Sequence, residues 1–236
     1  MADKKIDVIA IDGPAGSGKS TTARLVAQKM GFTYLDTGAM YRAFTLKVLS
    51  SKIDVQSESQ ILSLIPATKI VFKTRRNRLS VILDDRDVTR QIRNSKVSSN
   101  VSIISAHKNV RDWMVSQQRK IGAQGRIVAE GRDIGTVVFP NARLKIFLIA
   151  SLAERAIRRQ RDFSNGGEST DLSRVATELE KRDGIDRTRV ISPLKKAADA
   201  IELDTSNLTI EQQVDFVVEQ WMMKVSENEI IWKLDS

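Results

Sequence analysis

The chain has 236 residues, of which 41% are hydrophobic and 28% are charged, and it contains no cysteine. This composition is typical of a globular protein with an apolar core, and the lack of cysteine excludes disulfide bonds, thiolate zinc sites and cysteine nucleophiles. The net charge is +9, but only 5% of the residues are aromatic and no basic run is interleaved with aromatic residues. We therefore expect small anionic ligands and no nucleic acid.

Neither a membrane span nor a leader is expected. No apolar run approaches the roughly 18 residues that a membrane-spanning helix needs. Met1–Lys5 runs directly into the first predicted strand, which leaves no room for a signal peptide. The lack of cysteine also suits a reducing compartment. We therefore expect a cytoplasmic monomer that binds small molecules and no membrane.

The first predicted elements are a strand, a loop and a helix. Ile6–Ile11 is a short apolar strand, and Gly13–Ser20 then reads GPAGSGKS, which matches the phosphate-binding pattern G-x-x-x-x-G-K-[ST] at every fixed position. A helix that Gly31 ends is predicted next, because apolar residues repeat at helical spacing, namely Ala23, Val26, Ala27 and Met30. Strand, loop and helix in this order are the context that the pattern requires.

Each fixed position of this loop has a chemical role in holding a triphosphate. The glycines allow backbone N–H groups to turn inward around the phosphates. Lys19 reaches the β and γ oxygens, and the Ser20 hydroxyl is a ligand for Mg²⁺. The loop alone does not distinguish a switch GTPase, a motor ATPase and a small-molecule kinase, so the rest of the chain must decide.

A second strand and helix follow at once. Phe32–Leu35 is predicted to be a strand, and the helix after it has an apolar face with Met40, Tyr41, Phe44 and Val48. Strands that alternate with helices predict a parallel, doubly wound sheet, whose ligands bind at the carboxyl ends of the strands. We expect Asp36 and Thr37 to lie on that rim with the phosphate loop. Arg42, about one helical turn further on, can reach a second phosphate.

The middle of the chain breaks this alternation. Thr68–Lys73 and Leu79–Leu83 flank the basic turn Arg75–Arg78 and are predicted to form a β-hairpin. Two amphipathic helices follow, with apolar residues at Val97, Val101 and Ile104 and at Val110, Trp113, Met114 and Ile121. We interpret this segment as an inserted subdomain, and insertions of this kind often carry substrate specificity.

The alternation then resumes. Strands are predicted at 126–129, 144–149 and 200–203. Helices follow them, and two begin with capping boxes formed by Ser151 with Glu154 and by Thr209 with Gln212. The first of these helices leads to a glycine tip at Asn165–Gly167, and a further helix is marked by Leu172, Val175, Ala176 and Leu179.

Charged residues follow the strand at 126–129. Glu130 is a carboxylate at the end of an apolar strand. In phosphate-loop folds the second part of the Mg²⁺ site is a carboxylate at such a position. We therefore expect Glu130 to bind the ion directly or through water. The alternative is a strand-end acid that only meets solvent. Arg132 and Asp133 beside it either form a local ion pair or hold a substrate phosphate and a polar edge of a base.

Arginines are concentrated in the last third of the chain. One helical face carries Arg155, Arg158 and Arg159, and the next helix is followed by further charged residues, namely Arg182, Asp186, Arg187 and Arg189. A solvated charged face is one explanation. A lid that closes over the reacting phosphates is the other, and it fits charged residues that flank a glycine tip.

Taken together, the motifs resemble one family, the bacterial cytidylate kinases, a branch of the nucleoside monophosphate kinases. The resemblance is carried by IDGP at 11–14 with GKST at 18–21, LDTGAMYR at 35–42, EGRDIGTVVFP at 130–140, and the charged block at 182–189 with Pro193 and Leu194. The order and spacing of these blocks cover nearly the whole chain up to about Lys224.

The resemblance implies a P-loop NTPase fold of the α/β class. Its doubly wound parallel sheet forms a core domain at 1–37 and 123–225, which is interrupted by a monophosphate-binding insert at 38–122. A short lid at 156–171 lies within the core span, and residues 226–236 are a tail. The implied activity is transfer of the γ-phosphoryl group of ATP to CMP and dCMP, with ATP and Mg²⁺ as the implied donor and cofactor.

The resemblance also implies a role for individual residues. The ATP-binding residues are Gly13, Pro14, Ala15, Gly16, Ser17, Gly18, Lys19, Ser20 and Thr21, and the metal ligands are Ser20 and Glu130. Binding of CMP falls to Thr37, Tyr41, Arg42, Ser102, Arg111, Arg132, Asp133, Arg182, Asp186 and Arg189. In this set Arg42 and Arg132 bind the phosphate, Thr37, Arg182 and Asp186 hold the sugar, and Ser102, Arg111, Asp133 and Arg189 read the cytosine. Catalysis falls to Lys19, Arg132, Arg155, Arg158 and Arg159.

The assignment of Asp133 to the base has a physical reason. Cytosine offers an exocyclic amino donor that suits a carboxylate, whereas uracil has an acceptor at that position. Another small P-loop kinase, for a different monophosphate or a small acid, is the nearest alternative. A regulatory GTPase needs an Asn-Lys-x-Asp motif, which the chain lacks, and a nucleic-acid-binding ATPase is disfavoured by the sparse aromatic residues.

Overall fold

The computed structural model describes residues 6–75, 78–123, 125–165 and 170–234. It divides into two compact units, a larger one of Met1–Leu35 with Arg119–Ser236 and a smaller one of Asp36–Gln118. The domain limits at residues 38 and 122 and the lid at 156–171 stay predictions. The predicted hairpin turn at 76–77 and glycine tip at 166–167 lie outside the described residues.

Strands and helices alternate through residue 50, and after it runs of strands or of helices also occur. The strands are β1 (Ile6–Asp12), β2 (Thr33–Asp36), β3 (Ile70–Arg75), β4 (Arg78–Leu83), β5 (Arg86–Asp87), β6 (Ile127–Gly131), β7 (Ala142–Ile149) and β8 (Ile201–Asp204). The α-helices are α1 (Lys19–Met30), α2 (Thr37–Ser50), α3 (Glu58–Ser63), α4 (Ser95–Ala106), α5 (Lys108–Gly122), α6 (Leu152–Asn165), α7 (Leu172–Thr188) and α8 (Ile210–Leu234). A π-helical turn, Ile134–Val138, separates β6 from β7.

The larger unit is built on one sheet of five strands in the order β2-β6-β1-β7-β8. The β1 strand pairs in parallel with both β6 and β7, and β7 pairs in parallel with β8. In this register Ile11 lies opposite Glu130 on one side and Ile146 on the other. The predicted doubly wound parallel sheet is therefore confirmed, and the phosphate loop leaves its central strand.

Two helices cover this sheet with their apolar stripes. The core cluster joins α1, α8 and the central strands through Val26, Ala27, Val214, Val217, Trp221, Ile9, Ile11, Ile146 and Leu148. Phe32 meets Trp221 edge to face, with ring centroids 5.3 Å apart. Because apolar burial drives this packing, the core holds β1 and α1 in place at the two ends of the phosphate loop.

The smaller unit has its own core. The hairpin strands β3 and β4 pair in antiparallel fashion, with Val71 opposite Ile82, as predicted. They pack with α2 through the cluster Ala39, Ala43, Val81, Leu83, Val88 and Ile92. Phe44 of α2 also packs against Trp113 of α5, with ring centroids 5.1 Å apart. The predicted pair of helices after the hairpin is confirmed as α4 and α5.

Helix ends follow the predicted signals in two cases and part of the signal in a third. Gly31 ends α1 in the left-handed conformation, with φ of 66°. The capping box of α8 is complete, since Thr209 and Gln212 exchange two hydrogen bonds of 2.9 and 3.2 Å. At α6 only the Ser151 hydroxyl caps, accepting from the Glu154 N–H.

The α8 helix continues through the predicted tail as far as Leu234. Across the described ranges we find no helix both long and apolar enough to span a membrane.

Candidate active site

The phosphate loop connects β1 to α1 and takes a backbone shape that only glycine accepts at three positions. Gly13, Gly16 and Gly18 have φ values of 148°, 77° and 93°. A Cβ at Gly13 would lie 2.1 Å from the Leu148 carbonyl oxygen, and one at Gly16 would lie 2.9 Å from the Arg155 carbonyl oxygen. The loop therefore runs against β7 and α6, and it leads into the N-terminus of α1, which favours anions.

Lys19 is the first residue of α1, and its side chain is buried under the loop. Its ammonium donates to the Pro14 carbonyl at 2.5 Å and lies 3.4 Å from the Ser17 hydroxyl. Burial, followed by repulsion from Arg132, lowers the pKa of Lys19 to about 7. A bound triphosphate would oppose this shift, because its negative charge favours the ammonium form.

The two predicted metal ligands meet beside the loop. The Ser20 hydroxyl donates to the Glu130 carboxylate at 2.5 Å, and the Tyr34 hydroxyl donates to the same oxygen at 3.1 Å. Glu130 lies on β6, next to β1, so the sheet register brings these residues together across 110 positions of sequence. A hydroxyl and a carboxylate are hard oxygen donors of the kind that Mg²⁺ prefers. Among the described residues, no three histidine, aspartate or glutamate side chains are grouped so that they could hold a metal ion.

Three predicted substrate-binding residues form a charged cluster in the larger unit. Arg132 donates to Asp186 at 2.8 Å, and Arg189 lies 3.6 Å from the other oxygen of the same carboxylate. Burial favours the neutral acid, but Arg132, Arg182 and Arg189 outweigh it and lower the pKa of Asp186. Asp186 is therefore a carboxylate that orients the guanidinium of Arg132.

Asp133 is buried, and the turn after it is held by an acid that sequence reasoning missed. Both oxygens of Asp12 accept backbone N–H bonds, from Ile134 and Gly135, each at 2.8 Å. Burial raises the pKa of Asp12 to about 7, although the two N–H bonds oppose this shift. The signal for Asp12 is the one used for Glu130, a carboxylate at the end of a buried strand. It fixes the backbone next to the predicted base-reading residue.

The three predicted lid arginines have different partners. Arg155 is buried, pairs with Asp183 and donates to the Ala15 carbonyl at 3.1 Å. Arg158 donates to Glu154 and to the Thr205 carbonyl, the latter at 2.6 Å, and the Thr205 hydroxyl donates to Ser17. Arg159 lies over the Phe163 ring, 4.3 Å from its centroid. Asp183 and Thr205 were not among the predicted site residues, although Asp183 belongs to the charged block at 182–189.

The remaining predicted residues lie in the smaller unit. Asp36 caps α2 by accepting from the Ala39 N–H at 2.7 Å, and it pairs with Arg42 at 3.1 Å. Arg42 Nε has no hydrogen-bond partner among the described residues. Arg111 lies over the Tyr41 ring, 5.4 Å from its centroid. The smaller unit thus contains two of the predicted arginines, one on α2 and one on α5.

The structure divides the predicted CMP-binding set between its two units. Thr37, Tyr41, Arg42, Ser102 and Arg111 belong to the smaller unit, and Arg132, Asp133, Arg182, Asp186 and Arg189 belong to the larger one. Thr37 is buried at the start of α2, and Ser102 is buried on α4, where its carbonyl accepts from the Ser105 hydroxyl at 3.1 Å. Each unit therefore holds five of these residues.

Comparison with known proteins identifies the family. A sequence model described as cytidylate kinase matches residues 9–223. The chain belongs to the cytidylate kinase family. The cytidylate kinase of Bacillus thuringiensis (strain Al Hakam) is 45% identical over 216 residues, which are 92% of this chain and 96% of that protein. The cytidylate kinase of Bacillus cereus (strain AH187) matches to the same extent.

Solved structures with a similar fold are more distant. A gluconokinase from Sinorhizobium meliloti 1021 has a TM-score of 0.47 at 12% identity and covers 97% of this chain and 99% of that one. A shikimate kinase from Acinetobacter baumannii in complex with shikimate has a TM-score of 0.42 at 13% identity, with 94% of each chain covered. The family assignment rests on the sequence matches.

The lowered pKa of Lys19 predicts that nucleotide binding takes up a proton. At about pH 8 most of the free protein carries a neutral Lys19, and bound phosphates restore the ammonium form. Calorimetric titration with MgATP in two buffers of different ionisation enthalpy should give an uptake that approaches one proton. The Lys19→Arg variant should show no such uptake, because arginine does not titrate in this range. Equal uptake by both proteins would contradict the assignment to Lys19.

Proposed function

We propose that this chain transfers the γ-phosphoryl group of ATP to CMP and dCMP, giving ADP and CDP or dCDP, in pyrimidine nucleotide metabolism. The observation that carries the proposal is membership of the cytidylate kinase family over residues 9–223 in a chain whose phosphate loop is complete. The Ser20–Glu130 contact beside that loop supports a phosphoryl-transfer reaction that uses a metal-bound nucleotide.

The donor side of the proposal uses Gly13–Thr21. Backbone N–H groups of this loop and the N-terminus of α1 bind the phosphates of ATP. Lys19 turns from the Pro14 carbonyl to the transferring phosphoryl group and stabilises its charge. Ser20 and Glu130 hold Mg²⁺, which neutralises charge on the phosphate oxygens when it is bound.

On the acceptor side, we assign binding of the CMP phosphate to Arg42 and Arg132. Two observations support the assignment, namely that Arg42 Nε has no hydrogen-bond partner among the described residues and that Asp186 fixes the guanidinium of Arg132. Guanidinium groups bind phosphate oxygens through paired, directional hydrogen bonds. The sugar is assigned to Thr37, Arg182 and Asp186.

Recognition of the base is assigned to Ser102, Arg111, Asp133 and Arg189, with Tyr41 supporting Arg111. The cation–π contact between Arg111 and Tyr41 orders that arginine. The buried Asp133 carboxylate accepts from the cytosine amino group, and the arginines donate to the carbonyl oxygen O2 and the ring nitrogen N3. A buried carboxylate rejects uracil, because it would face an acceptor without a donor.

The proposal also includes a lid at 156–171, in which Arg158 and Arg159 approach the transferring phosphates and exclude water. We further propose that the protein is a cytoplasmic monomer that binds no nucleic acid. The lack of cysteine and the low aromatic content support this part of the proposal.

The reading of cytosine by Asp133 is tested by the Asp133→Asn variant. An amide can donate to the carbonyl of uracil, so the ratio of kcat/KM for CMP over UMP should fall by at least about tenfold. A coupled assay of ADP release with CMP, dCMP, UMP and AMP as acceptors measures this ratio. The wild-type protein should prefer CMP and dCMP.

The same panel decides between the proposal and its nearest alternative. Equal rates of the wild-type protein with AMP and CMP would contradict the base assignment. Transfer to none of the four monophosphates, with ATP still bound, would favour a small P-loop kinase for another acceptor.

The metal assignment is tested by the Glu130→Gln variant. Removing the carboxylate charge should raise the Mg²⁺ concentration for half-maximal rate by about tenfold, because carboxylates bind this ion more strongly than amides do. The Tyr34→Phe variant is the matched control, since it removes only the hydrogen bond of 3.1 Å to the same carboxylate. An unchanged Mg²⁺ requirement in Glu130→Gln would show that Glu130 does not serve the metal.

A further inference from the structure

A buried ion pair forms hydrogen bonds with the backbone of the phosphate loop. Asp183 of α7 and Arg155 of α6 form this pair, and their side chains are only 4% and 8% exposed. Both bind the same loop residue. The Asp183 carboxylate accepts from the Ala15 N–H at 3.0 Å, and Arg155 donates to the Ala15 carbonyl at 3.1 Å. Both backbone groups of Ala15 are therefore bound by one ion pair.

The same two helices also pack against the loop. The Ala15 side chain lies in an apolar cluster with Ala156, Phe163, Val175 and Leu179, which come from α6 and α7. Gly16 passes so close to α6 that a Cβ there would lie 2.9 Å from the Arg155 carbonyl. The loop is thus held in position by α6 and α7 as well as by β1 and α1.

The chemistry of the pair suits positioning better than stabilisation. Burying two charges costs solvation free energy, and apolar residues of similar size often give an equally stable protein. Arg155 uses two of its three nitrogen atoms on protein partners, since its Nε donates to the Ala150 carbonyl at 3.1 Å while its Nη1 donates to Ala15 and Asp183. Hydrogen bonds from charged side chains are directional, so they fix the orientation of a backbone, whereas apolar contacts are not directional.

We propose that Asp183 and Arg155 are positioning residues that fix the phosphate loop for binding of the donor nucleotide. The inference rests on the proposed function and changes one part of it, because Arg155 then acts through Ala15 rather than on the transferring phosphate. It also links the donor loop to α6 and α7, the helices that carry the predicted Arg158, Arg159 and Arg182.

The test compares two variants with a matched control. Asp183→Asn removes the charge and keeps the shape, and the double variant Arg155→Met with Asp183→Leu removes both charges without leaving one unpaired. The control is Glu178→Gln, which breaks an exposed ion pair with Arg174 on the same helix. Thermal unfolding gives the folded fraction of each protein.

Calorimetric titration then gives the Kd for MgATP and for CMP. In Asp183→Asn and in the double variant, the Kd for MgATP should rise by about tenfold or more. The Kd for CMP should stay within about twofold of the wild-type value. Glu178→Gln should match the wild type in both. Wild-type affinity for MgATP in the folded double variant would overturn the inference. So would a fall in the binding of both nucleotides that only follows the folded fraction.

These outcomes are distinguishable from failure of the proposed function. Binding of MgATP is measured without any acceptor, so the role of the Asp183–Arg155 pair is tested whichever monophosphate the wild-type protein phosphorylates. If the wild type bound no MgATP, both the proposed function and this inference would be overturned. If it bound MgATP but did not phosphorylate CMP, only the proposed function would fail.

Discussion

The phosphate loop lies so close to β7 and α6 that two of its glycines have no room for a side chain. Gly13 passes the Leu148 carbonyl where no side chain fits, and Gly16 passes α6 in the same way. Such an approach is possible only if β1, β7 and α1 are held rigidly, which the core around Trp221 provides. The backbone N–H groups of the loop are thereby held in position without a bound nucleotide, and preorganisation of this kind favours binding and catalysis.

Charge is arranged around this loop in compensating pairs. Burial, followed by repulsion from Arg132, lowers the pKa of Lys19 to about 7, whereas Arg132 is held by Asp186. Glu130 and Asp183 favour the charged form of Lys19. A nearby anion would therefore favour the charged form of Lys19, whereas Arg132 is already held by the Asp186 carboxylate.

Local sequence signals predicted much of this structure, and long-range contacts account for what they missed. The phosphate loop, the hairpin and the helix caps depend on neighbouring residues, so their patterns are visible in the chain. Glu130 was predicted to be a metal ligand because it ends a buried strand, and the structure places it beside Ser20, while its metal role stays a prediction. Asp183 was not assigned, because its contact with Ala15 spans 168 residues. Arg155 was grouped with Arg158 and Arg159 on one helical face, yet packing against α7 buries it and gives it other partners.

The central claim is that Lys19 acts on the phosphoryl group that ATP transfers to CMP. Steady-state measurement of ADP release from ATP and CMP by the wild type and Lys19→Ala, with circular dichroism as the check on folding, tests it most directly. We expect the folded Lys19→Ala protein to lose at least about a thousandfold in kcat, because it lacks the charge that stabilises the transition state. Full activity of Lys19→Ala would contradict the account.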